Sequence, residues 1–343
     1  IMSTLKVDAI RHNSATSDAI ITAADGTCTA KLTSVGGGGL SHRNIIVNGG
    51  MKVAQRSVSE AITGAGYHTV DRFKTVANSS MSYAVTMSQE NDNPDGNGKS
   101  VKLLTTTAST PTGSENYCLR YTGEEQDISG AGLGTSSCKQ LTISFSVKTN
   151  KTGTHGFQIY IGNNQPNMTV AYTVSSANTW EKKIITIAGD TVRSIDNNAG
   201  TTASTWRMVW ALSGGSNWTS DTASTWTAYG TTYYLGGHVT NTFATTASST
   251  WYMTGVQLEV GSQATPFEHR SSAEELTLCQ RYYYVHLDSG NNGKSFMNSN
   301  QYNSSASYGH LQFACTMRTS PTLEIASGTN YYGAFGNSTA QYI

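Results

Sequence analysis

Apolar residues fall on every second position over long stretches of this chain. Met81, Tyr83, Val85 and Met87 do so, and Leu141, Ile143, Phe145 and Val147 repeat the pattern. A period of two marks a strand with one face on a core. After a turn at 150–153 it returns in Phe157, Ile159 and Ile161. Further strands are predicted at 101–107, 169–174, 180–187, 207–212 and 251–260, with Ile45, Ile46 and Val47 opening the series. In the last of these, Met253, Val256, Leu258 and Val260 form an apolar stripe with one irregularity. Such strands, separated by Gly, Asn and Thr turns, predict one jelly-roll-like β-sandwich over 44–270.

The periodicity changes at its end. Ser272 followed by Glu275 fits a capping box, and Leu276, Cys279 and Tyr283 recur at helical spacing, so a helix is expected over 272–284. Residues 271–343 then comprise this helix and a small distal β-domain, with strands expected at 313–317 and 322–325. Residues 1–43 stand apart. Leu5, Val7 and Ala9 alternate as in a short strand, Asp25-Gly26 signals a turn and 36–39 is a glycine joint. So short a segment buries no core alone, and packing against its own copies or a docking partner is expected. Tyr282, Tyr283 and Tyr284 offer more aromatic surface than one helix face covers. A homotrimer through Leu5, Val7 and these three rings is the resulting expectation.

Composition agrees with a mainly β chain. Charged residues are 13% of 343, about half the ~25% usual in soluble domains, and Ser, Thr, Asn and 34 Gly fill the deficit. Net charge is zero, which gives no general field for a nucleic-acid backbone. No apolar run is long enough to span a membrane, and residues 1–12 lack the apolar region of a secretory signal. Five scattered cysteines, none in a CxxC pair, argue against a disulfide framework or a thiolate zinc site and for free thiols.

Several phrases resemble tail-fibre proteins of marine and cyanobacterial phages. STLKVDAIRHNSATSDAI (3–20) is similar to their virion-proximal segment, and RNIIVNGGMKVAQRS (43–57) with GYHTVDRF (66–73) to the opening of their carbohydrate-binding-like sandwich. WYMTGVQLEVGSQATPFEHRS (251–271) and CQRYY (279–283) resemble its close, and CTMRTSPT (315–322) extends the likeness. Gly50 departs from a small Ala-like residue. The resemblance implies a trimeric, host-adhesive fibre on the virion tail, assembled in the host cytoplasm, attached to other tail proteins through its N-terminal segment and engaging host surface polysaccharide.

No catalytic, cofactor or metal motif survives inspection, and the expectation is a protein that is not an enzyme and needs no cofactor. Gly96–Ser100 ends like a P-loop but lacks the first glycine and precedes a strand. Asn91, Asn93 and Asp95 open like an EF-hand, yet Lys102 stands where the closing glutamate belongs, so a solvated Asx turn is expected, with a calcium site in the loop at 91–96 as the alternative. Glu124-Glu125 is expected in a turn and Glu274-Glu275 in the first turn of the helix. For glycan binding the candidates are Trp218, Trp226, Tyr229, Tyr233 and Tyr234, with Asn217 and Asp221 as hydrogen-bond partners. Trp218 is placed on a loop tip, with packing of these rings into the sandwich edge or a trimer seam as the alternative, and Trp180 and Trp206 at the core or sheet margin. The alternatives are a purely structural virion component, such as a tail adaptor or head fibre, and a polysaccharide depolymerase with two facing carboxylates.

Overall fold

The computed structural model describes residues 9–10, 20–22, 28–30, 42–62, 64–78, 81–96, 98–161, 167–191, 205–218, 224, 226, 242–287, 297–303, 306–324, 333–336 and 339–342. Three short strands come first: β1 (Ala9–Ile10), β2 (Ile20–Thr22) and β3 (Cys28–Ala30). They pair antiparallel, Ala9 opposite Ile21 and Ile20 opposite Ala30. Of the strand expected over 5–9 only Ala9 is described, and it pairs with Ile21 of its own chain. Leu5 and Val7 lie outside the described residues.

The sandwich contains β4 (Ser59–Ile62), β5 (Phe73–Asn78), β6 (Ala84–Glu90), β7 (Ser100–Thr107) and β8 (Asn116–Glu124), then the single-turn α1 (Glu125–Ile128). It continues with β9 (Leu141–Thr149), β10 (Gly153–Ile161), β11 (Asn167–Val174), β12 (Glu181–Ile187), β13 (Thr205–Gly214), α2 (Thr242–Thr245) and β14 (Thr250–Val260). One sheet has five strands in the order β11-β10-β13-β8-β5, the other six in the order β12-β9-β14-β7-β6-β4. The predicted alternation is realised: Tyr83, Val85 and Met87, all four apolar residues of β9, and Phe157, Ile159 and Ile161 are buried. Between the sheets, Trp210 lies 5.4 Å from Phe157, 5.7 Å from Phe145 and 6.2 Å from Phe73, centroid to centroid. Aromatic contacts of this geometry add ~0.5–1.5 kcal/mol per pair beyond burial.

The irregular apolar stripe is a β-bulge. Register between β14 and β9 shifts between Thr254 and Gln257, and Gly255 takes φ +62°, which a glycine adopts without a Cβ penalty. The extra residue returns Val256 and Leu258 to the core, both fully buried.

The entry differs from expectation. Residues 44–48 form no strand, because asparagine side chains take the backbone groups that a neighbouring strand would have paired. Asn44 Oδ1 accepts from the amides of Ile46 (2.9 Å) and Leu258 (3.2 Å). Asn48, buried at φ +61°, accepts from Val53 N (2.9 Å) and donates to the carbonyls of Val53 and Asp71. The exit strands lie alongside: Val256 N donates to Gly49 O at 3.0 Å.

The helix α3 (Ser272–Gln280) is shorter than predicted, and its N-cap is Ser271, which accepts from Glu274 N. Glu275 makes no capping box. It is buried, accepts from the Asn48 amide and lies 3.6 Å from Arg270. Glu124 and Glu125 likewise occupy no turn, since the first ends β8 and the second starts α1. Beyond α3, residues 313–317 and 322–324 are not strands. Two hairpins stand elsewhere, β15 (Ser299–Asn303) with β16 (Ala306–Gly309) and β17 (Gly333–Gly336) with β18 (Thr339–Tyr342).

Gly123 faces Trp206 across the β8–β13 pair, and a Cβ there would lie 2.2 Å from the indole. Trp206 is fully buried and its ring nitrogen donates to Glu124 O, so it cannot step aside. Gly123→Ala should cost about 2–3 kcal/mol, read by chemical denaturation. A loss under about 1 kcal/mol would show that the two strands can separate locally.

Candidate functional site

The expected aromatic platform is not what the described residues form. After β13 the chain turns tightly, Trp218 N bonding Gly215 O, and brings Trp218 back onto Ala211. Its indole donates to Ser114 O at 3.0 Å and the residue is only 6% exposed. The glycine that looked like a loop tip serves close approach instead, since a Cβ on Gly215 would lie 1.7 Å from Thr112 O. Trp218 thus belongs to a satellite core, and Trp218→Ala should lower stability by roughly 2–4 kcal/mol in a melting experiment. Asn217 is exposed. Trp226 packs half-buried against the main core and donates to Ala188 O at 2.8 Å. Asp221, Tyr229, Tyr233 and Tyr234 lie outside the described residues.

Trp206 is in the core as expected. Trp180 sits half-buried at the start of β12, its ring nitrogen 3.0 Å from Asp92 Oδ1 and its ring edge-on to Tyr252. Asp92 also accepts from Lys148. In the same loop Asn93 Oδ1 accepts from Asp95 N (3.1 Å), the expected Asx turn. Among the described residues no group of three His, Cys, Asp or Glu is placed to hold a metal, and no helix is long and apolar enough to cross a membrane.

Tyr282, Tyr283 and Tyr284, expected as trimer contacts, meet groups of their own chain. They follow α3, are half-buried, and pack on groups of their own chain. The Arg72 guanidinium carbon lies 3.4 Å from the Tyr282 ring centroid, and Arg56 lies 3.3 Å from that of Tyr283. Tyr284 meets Phe313 edge-on at 6.0 Å. Guanidinium groups over the Tyr282 and Tyr283 rings stabilise this packing within the chain.

Those stacks wall a cleft of about 300 Å³ between the sandwich and the segment beyond α3. Arg56, Tyr67, Asp71, Arg72, Glu124, Tyr282, Tyr283 and Arg318 face it. Arg72 is 5% exposed and holds φ +73°, a conformation costing ~1–2 kcal/mol outside glycine that its contacts with Tyr121, Tyr282 and Thr122 O sustain. Tyr67 lies between Arg56 (5.4 Å) and Lys74 (5.6 Å). Sequence reasoning singled out none of these arginines. Yet every phrase that carries the family resemblance inside the sandwich opening and beyond α3 sends a residue here: Arg56, then Tyr67, Asp71 and Arg72, then Tyr282 and Tyr283, then Arg318.

Two carboxylates in the cleft are driven in opposite directions. Burial raises Asp71 above the ordinary carboxylate range, although Gln55 donates to it from backbone and side chain. Burial would raise Glu124 too, but Arg281, through Nε and Nη2 at 3.1 Å each, and the Tyr282 hydroxyl hold it below that range. Ionised Glu124 therefore stabilises the fold fully above its unfolded pKa near 4.5, and this contribution is lost as pH falls through the folded value. Glu124→Gln should remove about 1–3 kcal/mol near neutral pH. The gap to the parent protein should close as pH falls through the lowered folded-state pKa of Glu124; a gap that persists in acid would assign the loss to packing.

With the fold and cleft in view, the chain belongs to the mainly β, two-sheet sandwich class. Among solved structures it is similar to a putative sugar-binding protein from Bacteroides thetaiotaomicron (11% identity, TM-score 0.36, 64% of this chain and 100% of that one). It is also similar to the family 11 carbohydrate-binding module of a Clostridium thermocellum cellulosomal cellulase (11%, TM-score 0.29, 63% and 100%). A third is the enzymatically active domain of tailspike protein 4 of bacteriophage CBA120 (12%, TM-score 0.33), where 63% of this chain covers 21% of that one. No family model and no curated protein matches the sequence. At these scores the likeness carries nothing about function, and the fold assignment rests on the two sheets themselves.

Proposed function

We propose that this protein is a phage tail-fibre subunit, structural and host-adhesive, whose sandwich engages host surface polysaccharide. The observation that carries the reading is the convergence just described: phrases separated by up to 260 residues, each resembling the same fibre family, meet in one cleft. Tyrosine faces beside guanidinium donors are the mix that suits a hydroxyl-rich ligand, the rings covering its CH faces and the donors its oxygens. Residues 1–43 attach the subunit to other tail proteins, and the chain assembles as a homotrimer on the virion. The proposed trimer contacts are Leu5, Val7, Tyr282, Tyr283 and Tyr284, the last three half-buried within their own chain.

A depolymerase is the second reading, favoured by the opposite shifts of Asp71 and Glu124 within one cleft. It ranks second because Gln55 occupies both oxygens of Asp71, while Arg281, Tyr282 and Gln126 occupy those of Glu124.

Arg318 has no side-chain hydrogen bond or ion pair among the described residues, so Arg318→Ala tests the cleft without threatening the fold. Binding to polysaccharide extracted from host cells should fall about 10-fold at unchanged melting temperature. Unchanged binding would move the site elsewhere. Release of new reducing ends by the parent protein, abolished in Glu124→Gln, would establish the enzyme. Sedimentation as a monomer at micromolar concentration would remove the trimer.

A further inference from the structure

The outward face of the five-stranded sheet carries an unusual row. Lys74 lies between Phe73 and Thr75, Arg120 between Leu119 and Tyr121, and Arg207 between Trp206 and Met208, all six neighbours fully buried. Alternation along the strands then turns the three cations away from the core, and all three are half-exposed. Register brings them together. Lys74 is directly opposite Arg120 on β5 and β8, and Arg120 is opposite Val209, two residues along β13 from Arg207. Like charges directly opposite on a sheet destabilise it. Neither Lys74 nor Arg120 has an ion pair with a carboxylate among the described residues. The Lys74 ammonium is depressed first by burial and then by Arg120 and Arg207, as a locally positive field requires.

Lys74 and Arg120, directly opposite and without a carboxylate partner, in a chain of zero net charge with only 22 Lys and Arg in 343 residues, ask for an anionic partner. Its setting says which kind. Tyr160 is opposite Arg207, which lies 5.3 Å from its ring, and Tyr67 stands at the other end over Lys74. Strands ~4.8 Å apart set Lys74 and Arg120 at about the step of one pyranose unit, and Arg207 stands diagonally at ~7–8 Å from Arg120. Tyr67, half-buried, offers a face for sugar CH groups, whereas Tyr160 is buried, and the guanidinium fork matches carboxylate or sulfate. Tyr67 also lines the cleft, so the row and the cleft share a wall.

Building on the glycan-binding reading above, we infer that the ligand is an acidic polysaccharide, its carboxylate or sulfate groups held by Lys74, Arg120 and Arg207 on the outer face of the five-stranded sheet. A nucleic acid is disfavoured because three cations flanked by tyrosine hydroxyls make a short contact, and the rest of the surface adds no net positive charge.

The experiment is affinity electrophoresis of the full chain against polygalacturonate, hyaluronan and heparin, with dextran as the neutral probe and single-stranded DNA as competitor. Binding to at least one acidic polymer is expected. It should weaken about 10-fold as the screening length shrinks from ~30 Å to ~10 Å between 0.01 and 0.1 M salt. Lys74→Gln and Arg120→Gln should each weaken it about 5–10-fold with no loss of melting temperature, since each relieves the like-charge pair, while Lys74→Arg retains binding. If either Gln variant unfolds, the salt dependence of the parent protein decides. Equal binding of dextran, insensitive to both variants, would overturn the acidic class and leave glycan binding standing. Tighter capture of DNA would overturn it in favour of a nucleic acid. Retention of no polymer of any kind would end both this inference and the glycan-binding reading.

Discussion

Buried polar groups with no water must find partners, and here that requirement fixes how the chain enters and leaves the sandwich. Asn44 and Asn48 occupy the irregular entry, fully shielded, and every hydrogen bond they make substitutes for one that a strand would have supplied. Glu275 reaches back from α3 to the Asn48 amide, and Arg270 donates to Ile46 O and Asn44 O. Removing any one of these groups strands the others in a low-dielectric setting, so they stand or fall as a unit. The position of α3, and with it the tyrosines that wall the cleft, follows from this knot.

The cleft is accordingly a product of long-range placement. Arg72 comes from the start of β5, Glu124 from the end of β8, Tyr282 from beyond α3, and Arg318 from a segment without regular structure. Each alone is an ordinary surface residue type. Together they form alternating layers of guanidinium and phenol, with Glu124 as the anion that Arg281 and Tyr282 share. The outer face of β5, β8 and β13 continues the same chemistry with fewer anions.

What was legible from the sequence was whatever depends on local period. The strands of both sheets show as alternation because each has one face in the core, and even the bulge at Gly255 shows as a slip between Met253 and Val256. The entry was misread because Ile45, Ile46 and Val47 look like a strand, and nothing local tells that asparagines will pair their backbone. The hairpin β15–β16 was missed because SNQYN and ASYG carry no apolar alternation. Trp218 was misplaced because a glycine pair reads as a turn whether it exposes or packs. The arginines were invisible for another reason: their tyrosine partners lie some 200 residues away. Only the scattered phrases resembling fibre proteins marked those regions, and they did so without indicating that they would meet.

One consequence of the adjacent entry and exit is mechanical. Residues 42–53 and 256–275 are bonded side by side, by Glu268 to the amides of His42 and Asn44, by Asn44 to Leu258 and by Glu275 to Asn48. Tension between the N-terminal segment and the distal part therefore passes across these few bonds and meets the sheets first at the end of β14, where Leu258 is bonded to Asn44. The rest of the sandwich hangs from the load path as a side branch, so pulling on the chain would leave its outer faces undeformed.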